Sequence, residues 1–187
     1  MAQHNIESIL AENRYIPVAT IDAIEQVDTF YNALKTKGVS CIEITLRTPV
    51  SWEAIRLFKE KYGHEFSVGV GTIKSANDIQ KCQAYGVDFM VSPGLTWSLF
   101  EAFEDSGIPY LPGVSTPSEI IQGLNWGLKY FKFFPADLFG GVKALKAYGG
   151  IFQEARFCPT GGINEANAPD FLALDNVVSV GGSWLLK

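Results

Sequence analysis

The stretch Tyr130-Phe131-Lys132-Phe133-Phe134-Pro135 decides how the rest of the chain is read. It is an apolar run too short for a helix, rich in the aromatics that favour strands, and stopped by a proline. Side chains alternate along a strand with period two, so Phe131 and Phe133 point one way and Lys132 and Phe134 the other. A lysine held among phenylalanines loses hydration, which disfavours its charged form and favours the nucleophilic amine. The alternative is an edge-strand lysine snorkelling to water.

Seven further short runs share this character, each apolar or β-branched with Gly, Pro, Thr or Ser at or next to its end: 15–21, 41–46, 67–72, 89–94, 109–114, 156–161 and 177–182. Successive starts lie about 20 to 26 residues apart, and intervening segments such as 23–35 and 52–61 carry helical periodicity. Strand alternating with helix eight times predicts parallel pairing and a single α/β domain over 1–187, a (β/α)8 TIM barrel. Helix starts agree with that register: Thr48-Pro49, Ser75 with Asp78, and Thr116-Pro117-Ser118-Glu119. Gly38, Gly63, Gly86, Gly107 and Gly127 fall where helices should stop. An open doubly wound sheet is the alternative, but its Gly-rich first turn is absent at Thr20-Ile21-Asp22. The chain stops soon after the eighth run, so the final helix is expected to be short or absent. The amphipathic segment 5–13 is expected to form a helix across the barrel's bottom.

Composition narrows the function. With 187 residues and an apolar fraction of 47%, the chain can bury a sizeable core. It has no run of about 18 apolar residues and no secretory signal at its start, so the expectation is a cytoplasmic protein that does not enter a membrane. A net charge of −5 without a basic cluster argues against nucleic acid as a partner. Three separated cysteines, Cys41, Cys82 and Cys158, read as buried thiols rather than disulfides. With only His4 and His64, no metal site is indicated.

Active sites of such barrels lie at the C-terminal strand ends, which makes strand-end polar residues the candidates. In the second run Glu43, Thr45 and Arg47 share one parity and Ile42, Ile44 and Leu46 the other, so Glu43 is expected to point inward. A buried carboxylate there is a general acid/base or a structural partner for a cation. Arg47 offers a planar fork for a carboxylate. The glycines of Val68-Gly69-Val70-Gly71-Thr72 allow close approach to the backbone. Cys158-Pro159-Thr160-Gly161-Gly162-Ile163-Asn164 and Val180-Gly181-Gly182-Ser183-Trp184 place glycine pairs and hydroxyls after strands seven and eight, where these barrels commonly hold phosphate. The bland reading is two tight turns needing positive φ.

These motifs together resemble the class I aldolases that act on 2-keto-3-deoxy-6-phosphogluconate, a family related to 4-hydroxy-2-oxoglutarate aldolases. The resemblance runs from about Ile6 to Trp184. It includes Glu-Ile-Thr-Leu-Arg-Thr-Pro (43–49), Gly-Val-Gly-Thr (69–72), Ser-Pro-Gly (92–94), Leu-Pro-Gly-Val-Ser-Thr-Pro-Ser-Glu (111–119), Phe-Lys-Phe-Phe-Pro-Ala (131–136), Pro-Thr-Gly-Gly-Ile (159–163) and Gly-Gly-Ser-Trp (181–184). The resemblance implies that Lys132 forms a Schiff base, that Glu43 is the acid/base, and that Arg47 with Thr72 holds the keto-acid carboxylate. It further implies that Pro93, Phe134 and Thr160 surround the pyruvate methyl, that Gly161, Gly162, Gly181, Gly182 and Ser183 receive the phosphate, and that Arg14 lines the site. It implies a phosphorylated keto-acid substrate, no organic cofactor and a homotrimer. The galactonate epimer as substrate, a phosphate-binding isomerase or synthase without an imine, and a catalytically silent barrel stay open as alternatives.

Overall fold

In the computed structural model, which describes Gln3 and residues 5–187, strands and helices alternate along the chain. β1 (Tyr15–Ala19), β2 (Cys41–Thr45), β3 (Ser67–Gly71), β4 (Phe89–Val91), β5 (Tyr110–Leu111) and β9 (Val180–Gly182) form one sheet in the order β5-β4-β3-β2-β1-β9. β6 (Gly113–Val114), β7 (Tyr130–Phe133) and β8 (Arg156–Pro159) form a second, with β7 in the middle. Their pairings are parallel, which a helix-linked chain requires. The connecting helices are α2 (Gln26–Thr36), α3 (Ser51–Tyr62), α4 (Ala76–Tyr85), α5 (Trp97–Ser106), α6 (Pro117–Asn125), α7 (Gly141–Ile151) and α8 (Ala168–Leu172). The chain is thus an α/β protein with parallel sheets.

Two expected strands differ in detail. The run 109–114 is divided at Pro112, which has no N–H to donate to a ladder. Its first half, β5, pairs with β4 and its second half, β6, with β7, so this one segment passes from sheet to sheet. The run 177–182 is regular strand only from Val180, and isolated parallel bridges, Phe157 with Val177 and Thr160 with Gly181, tie it to β8. Beyond β9 lies a single 3-10 turn, Trp184–Leu186, held by Lys37 Nζ donating to the Leu185 carbonyl at 2.7 Å.

Helix ends show which local signals acted. Ser75 with Asp78 and Thr116 with Glu119 form reciprocal capping boxes, with Pro117 in the first turn of α6. Gly86 and Gly107 end α4 and α5 in the left-handed conformation that a glycine adopts without strain. Thr48-Pro49 does not open α3. That helix starts at Ser51, whose hydroxyl donates back to the Thr45 carbonyl at 2.9 Å, while Thr48 donates to the Ile21 carbonyl. The expected start at Ala23 moves to Gln26, because Gln26 Oε1 accepts from the N–H groups of Asp22 and Ala23 and makes those residues a turn.

Strand parity separates two apolar layers. Ile42, Ile44, Val68, Val70, Phe131, Phe133 and Phe157 pack against the helices, together with Ile55, Phe58, Ile79, Phe103 and Leu145. The opposite strand face carries Ile16, Cys41, Phe89, Val91, Leu111 and Cys158, closed at one end by Ile6 and Leu10 of α1 (Ile6–Glu12). Gln3 fastens that end, its amide donating to the Tyr130 carbonyl at 2.8 Å and accepting from the N–H of Tyr130 at 2.7 Å. Among the described residues no helix is long and apolar enough to cross a membrane.

Candidate active site

Parity puts Glu43 of β2 and Lys132 of β7 on the inner face, opposite the isoleucines and phenylalanines beside them in sequence. They are 89 residues apart and belong to different sheets, yet Lys132 Nζ donates to Glu43 Oε1 at 3.2 Å. Glu43 is 3% exposed and Lys132 4%. A buried ion pair of this kind loses in desolvation roughly what it gains in attraction, so stability alone is a weak reason for it. The Nζ also lies 5.2 Å from the centre of the Phe134 ring.

The glycines of β3 create the room. A methyl on Gly69 would meet the Phe89 ring, and one on Gly71 would meet Glu43 Oε1. The close approach expected at this run is therefore made by two side chains, one of them the carboxylate. Thr72, next along, has φ 66°, a left-handed conformation that costs a β-branched residue about 1 to 3 kcal/mol.

A cavity of about 420 Å³ opens over the C-terminal strand ends. Arg47, Phe134, Thr160, Gly161, Gly162, Gly182 and Ser183 line it, so seven of the expected site residues converge there. Phe134 is the shared wall between this cavity and the buried Lys132 amine. Gly161 and Gly162 have φ 99° and 73°, accessible to glycine without strain, and a methyl on Gly162 would meet the Asp137 side chain. Gly181 is bridged to Thr160, whose hydroxyl occupies the place of its missing side chain. Pro93 follows β4 and packs its backbone on Gly113; like Glu43, Lys132, Thr72 and Gly181, it does not line this cavity.

Arg14 is not brought to the cluster. It precedes β1, where its carbonyl accepts from Val180, while the cavity is met by Thr20 at the strand's other end. Six residues of extended chain separate the two positions by about 20 Å. Sequence reasoning also passed over Thr20 and Phe30, which line the cavity. Thr20 is a polar residue at a strand end and was open to the same argument as Arg47. Phe30 sits on α2 at a position that reads as ordinary core.

The cysteines do not compete as nucleophiles. Burial pushes the Cys158 thiol up to about 11 and the Cys82 thiol up to about 12, and Cys41 is raised further by burial and the nearby Glu43 carboxylate. His64 is an exposed loop residue, and His4 lies outside the described residues.

Comparison with known proteins gives the same picture over nearly the whole chain. A family model described as aldolase, KDPG and KHG aldolase, matches residues 6–187. The KHG/KDPG aldolase of Escherichia coli (strain K12) is 44% identical over 180 residues, 96% of this chain and 84% of that protein. The 2-dehydro-3-deoxy-phosphogluconate aldolase of Dickeya dadantii (strain 3937) is 45% identical over the same length and shares. Among solved structures, the 2-keto-3-deoxy-6-phosphogluconate aldolase of Zymomonas mobilis ZM4 with 3-phosphoglycerate superposes with a TM-score of 0.93 at 40% identity, covering 98% of this chain and 87% of that one. The KDPG aldolase of Legionella pneumophila, with pyruvate captured at low pH as a covalent carbinolamine intermediate, gives 0.91 at 40% identity with the same coverage. The chain belongs to the KDPG and KHG aldolase family.

Proposed function

We propose that this protein is a Schiff-base-forming aldolase that cleaves 2-dehydro-3-deoxy-6-phosphogluconate to pyruvate and glyceraldehyde 3-phosphate, with 4-hydroxy-2-oxoglutarate as a second substrate. The observation that carries the reading is the buried amine of Lys132 set 3.2 Å from the carboxylate of Glu43 and beside the Phe134 ring, which lines a cavity at the strand ends. An amine and an acid/base within one hydrogen bond are the pair that imine chemistry needs.

Lys132 Nζ attacks the C2 ketone, and loss of water gives a protonated imine. Glu43 takes the C4 hydroxyl proton as the C3–C4 bond breaks, and the bonding electrons pass into the iminium to give an enamine. The aldehyde leaves. Glu43, now carrying that proton, returns it to C3, and water hydrolyses the resulting pyruvyl imine to free Lys132. Arg47, with Thr72, binds the substrate carboxylate. Pro93, Phe134 and Thr160 enclose the pyruvate methyl. Gly161, Gly162, Gly181, Gly182 and Ser183 cradle the phosphate with backbone N–H groups and a hydroxyl. Arg14 is left out of this assignment.

The two sheets are read as one eight-stranded (β/α)8 barrel of a single domain, a reading supported by the passage of one segment through Pro112 at one seam and by the Thr160–Gly181 bridge at the other. The assembly is read as a homotrimer, which sedimentation at three times the chain mass would support and a monomer would refute. The three free, buried cysteines fit a reducing, cytosolic compartment.

Borohydride reduction with pyruvate tests the covalent step. A pyruvate-derived adduct located on Lys132 and lost in Lys132→Ala is expected. An active enzyme that traps no adduct would remove the imine mechanism.

A further inference from the structure

Of the polar residues lining the cavity, Thr20 and Lys187 have no part in the reaction above, and the hydrogen bonds of Thr20 define what it can offer a ligand. Its hydroxyl oxygen lies 3.2 Å from Thr45 Oγ1, and Thr45 Oγ1 donates to the Ala19 carbonyl at 2.8 Å. A carbonyl only accepts, so the single hydroxyl hydrogen of Thr45 is committed to Ala19. The contact between the two threonines then requires Thr20 to donate. Thr45 is 1% exposed, which leaves no room for water to reverse that order. Thr20 therefore turns lone pairs toward the cavity. It is an acceptor there, suited to a ligand hydroxyl and mismatched to the oxygens of a phosphate or carboxylate.

Its position along a bound substrate follows from the strand order. β1 lies between β2, which carries Glu43 and leads to Arg47, and β9, which runs into Ser183. A substrate with its keto-acid end over β2 and its phosphate over the turn after β9 lays its middle carbons across the end of β1.

Resting on the aldolase reading, we propose that Thr20 accepts a hydrogen bond from the C5 hydroxyl of 2-dehydro-3-deoxy-6-phosphogluconate and so sets the preference for that substrate over 4-hydroxy-2-oxoglutarate. The C5 of the latter is a carboxylate, which would place acceptor against acceptor.

The test measures kcat/KM for both substrates with the wild type, Thr20→Val and Thr20→Ser, and compares the 5-deoxy analogue of the phosphogluconate substrate on the wild type. Thr20→Val should shift the ratio of the two substrates by about tenfold or more against the hydroxylated one, and Thr20→Ser should hold it within about threefold. The wild type should prefer the hydroxylated substrate to its 5-deoxy analogue by about tenfold or more, a preference that Thr20→Val loses. An unchanged ratio in a folded Thr20→Val overturns the assignment. So does wild-type indifference to the 5-deoxy analogue, which is read without any variant. Cleavage of neither substrate by the wild type takes down the aldolase reading and Thr20 with it, whereas cleavage of both with an unchanged ratio overturns Thr20 alone.

Discussion

At the scale of single residues, the Lys132–Glu43 pair and the glycine beside it make the most direct predictions. Gly71 has an ordinary backbone conformation, so Gly71→Ala meets no backbone strain, only the Glu43 carboxylate that already fills the space. Displacing that carboxylate should slow aldol cleavage by about 100-fold or more, the usual contribution of a positioned acid/base, while the borohydride adduct on Lys132 still forms. Steady-state assays beside mass spectrometry check this, and a folded variant with normal cleavage would end the steric argument. The pair itself should show in stability. Removing one partner of a buried pair costs about 3 to 5 kcal/mol, whereas replacing both is close to neutral. Urea denaturation of Lys132→Met, Glu43→Leu and the double variant, in which both partners become apolar, should therefore give a double loss well below the sum. Additive losses would mean that the two groups do not interact.

At the scale of elements, caps connect helix starts to the site. Glu119 Oε2 accepts from the N–H groups of Ser115 and Thr116 at 2.8 Å each, closing the capping box of α6. Ser115 in turn donates its hydroxyl to the Phe134 carbonyl at 2.6 Å and accepts from the Tyr148 hydroxyl at 3.0 Å through its own carbonyl. The cap of one helix thus holds the end of β7, where the Phe134 ring faces the Lys132 amine. Glu119→Ala should cost about 1 to 2 kcal/mol. That corresponds to a melting temperature lowered by roughly 2 to 8 °C in a chain of this size. Calorimetry checks it, and an unshifted melting temperature would mean the box contributes nothing here.

At the scale of the whole molecule, the packing of helices and sheets over one another makes the thiols inert. Cys41 and Cys158 lie on the inner strand face and Cys82 on the buried side of α4, and burial holds each thiol well above its usual range. At pH 8 they stay protonated and out of reach, so a thiol reagent should modify none in the native protein and all three in denaturant. Rapid native labelling of Cys158 would contradict the packing. Most of the architecture was legible in the chain, because strands announce themselves as short apolar or β-branched runs whose side chains alternate in parity, and helices by caps and terminal glycines, all of which are local. The inward aim of Lys132 and Glu43 followed from the same parity. Only the tertiary structure decided that the segment around Pro112 changes sheets, that Gly71 makes room for a carboxylate, that Arg14 stands at the far end of its strand, and that Thr20 faces the cavity. Each of these depends on which residues of distant strands stand side by side. Register across a sheet is set by packing over the whole chain, and local periodicity carries no record of it.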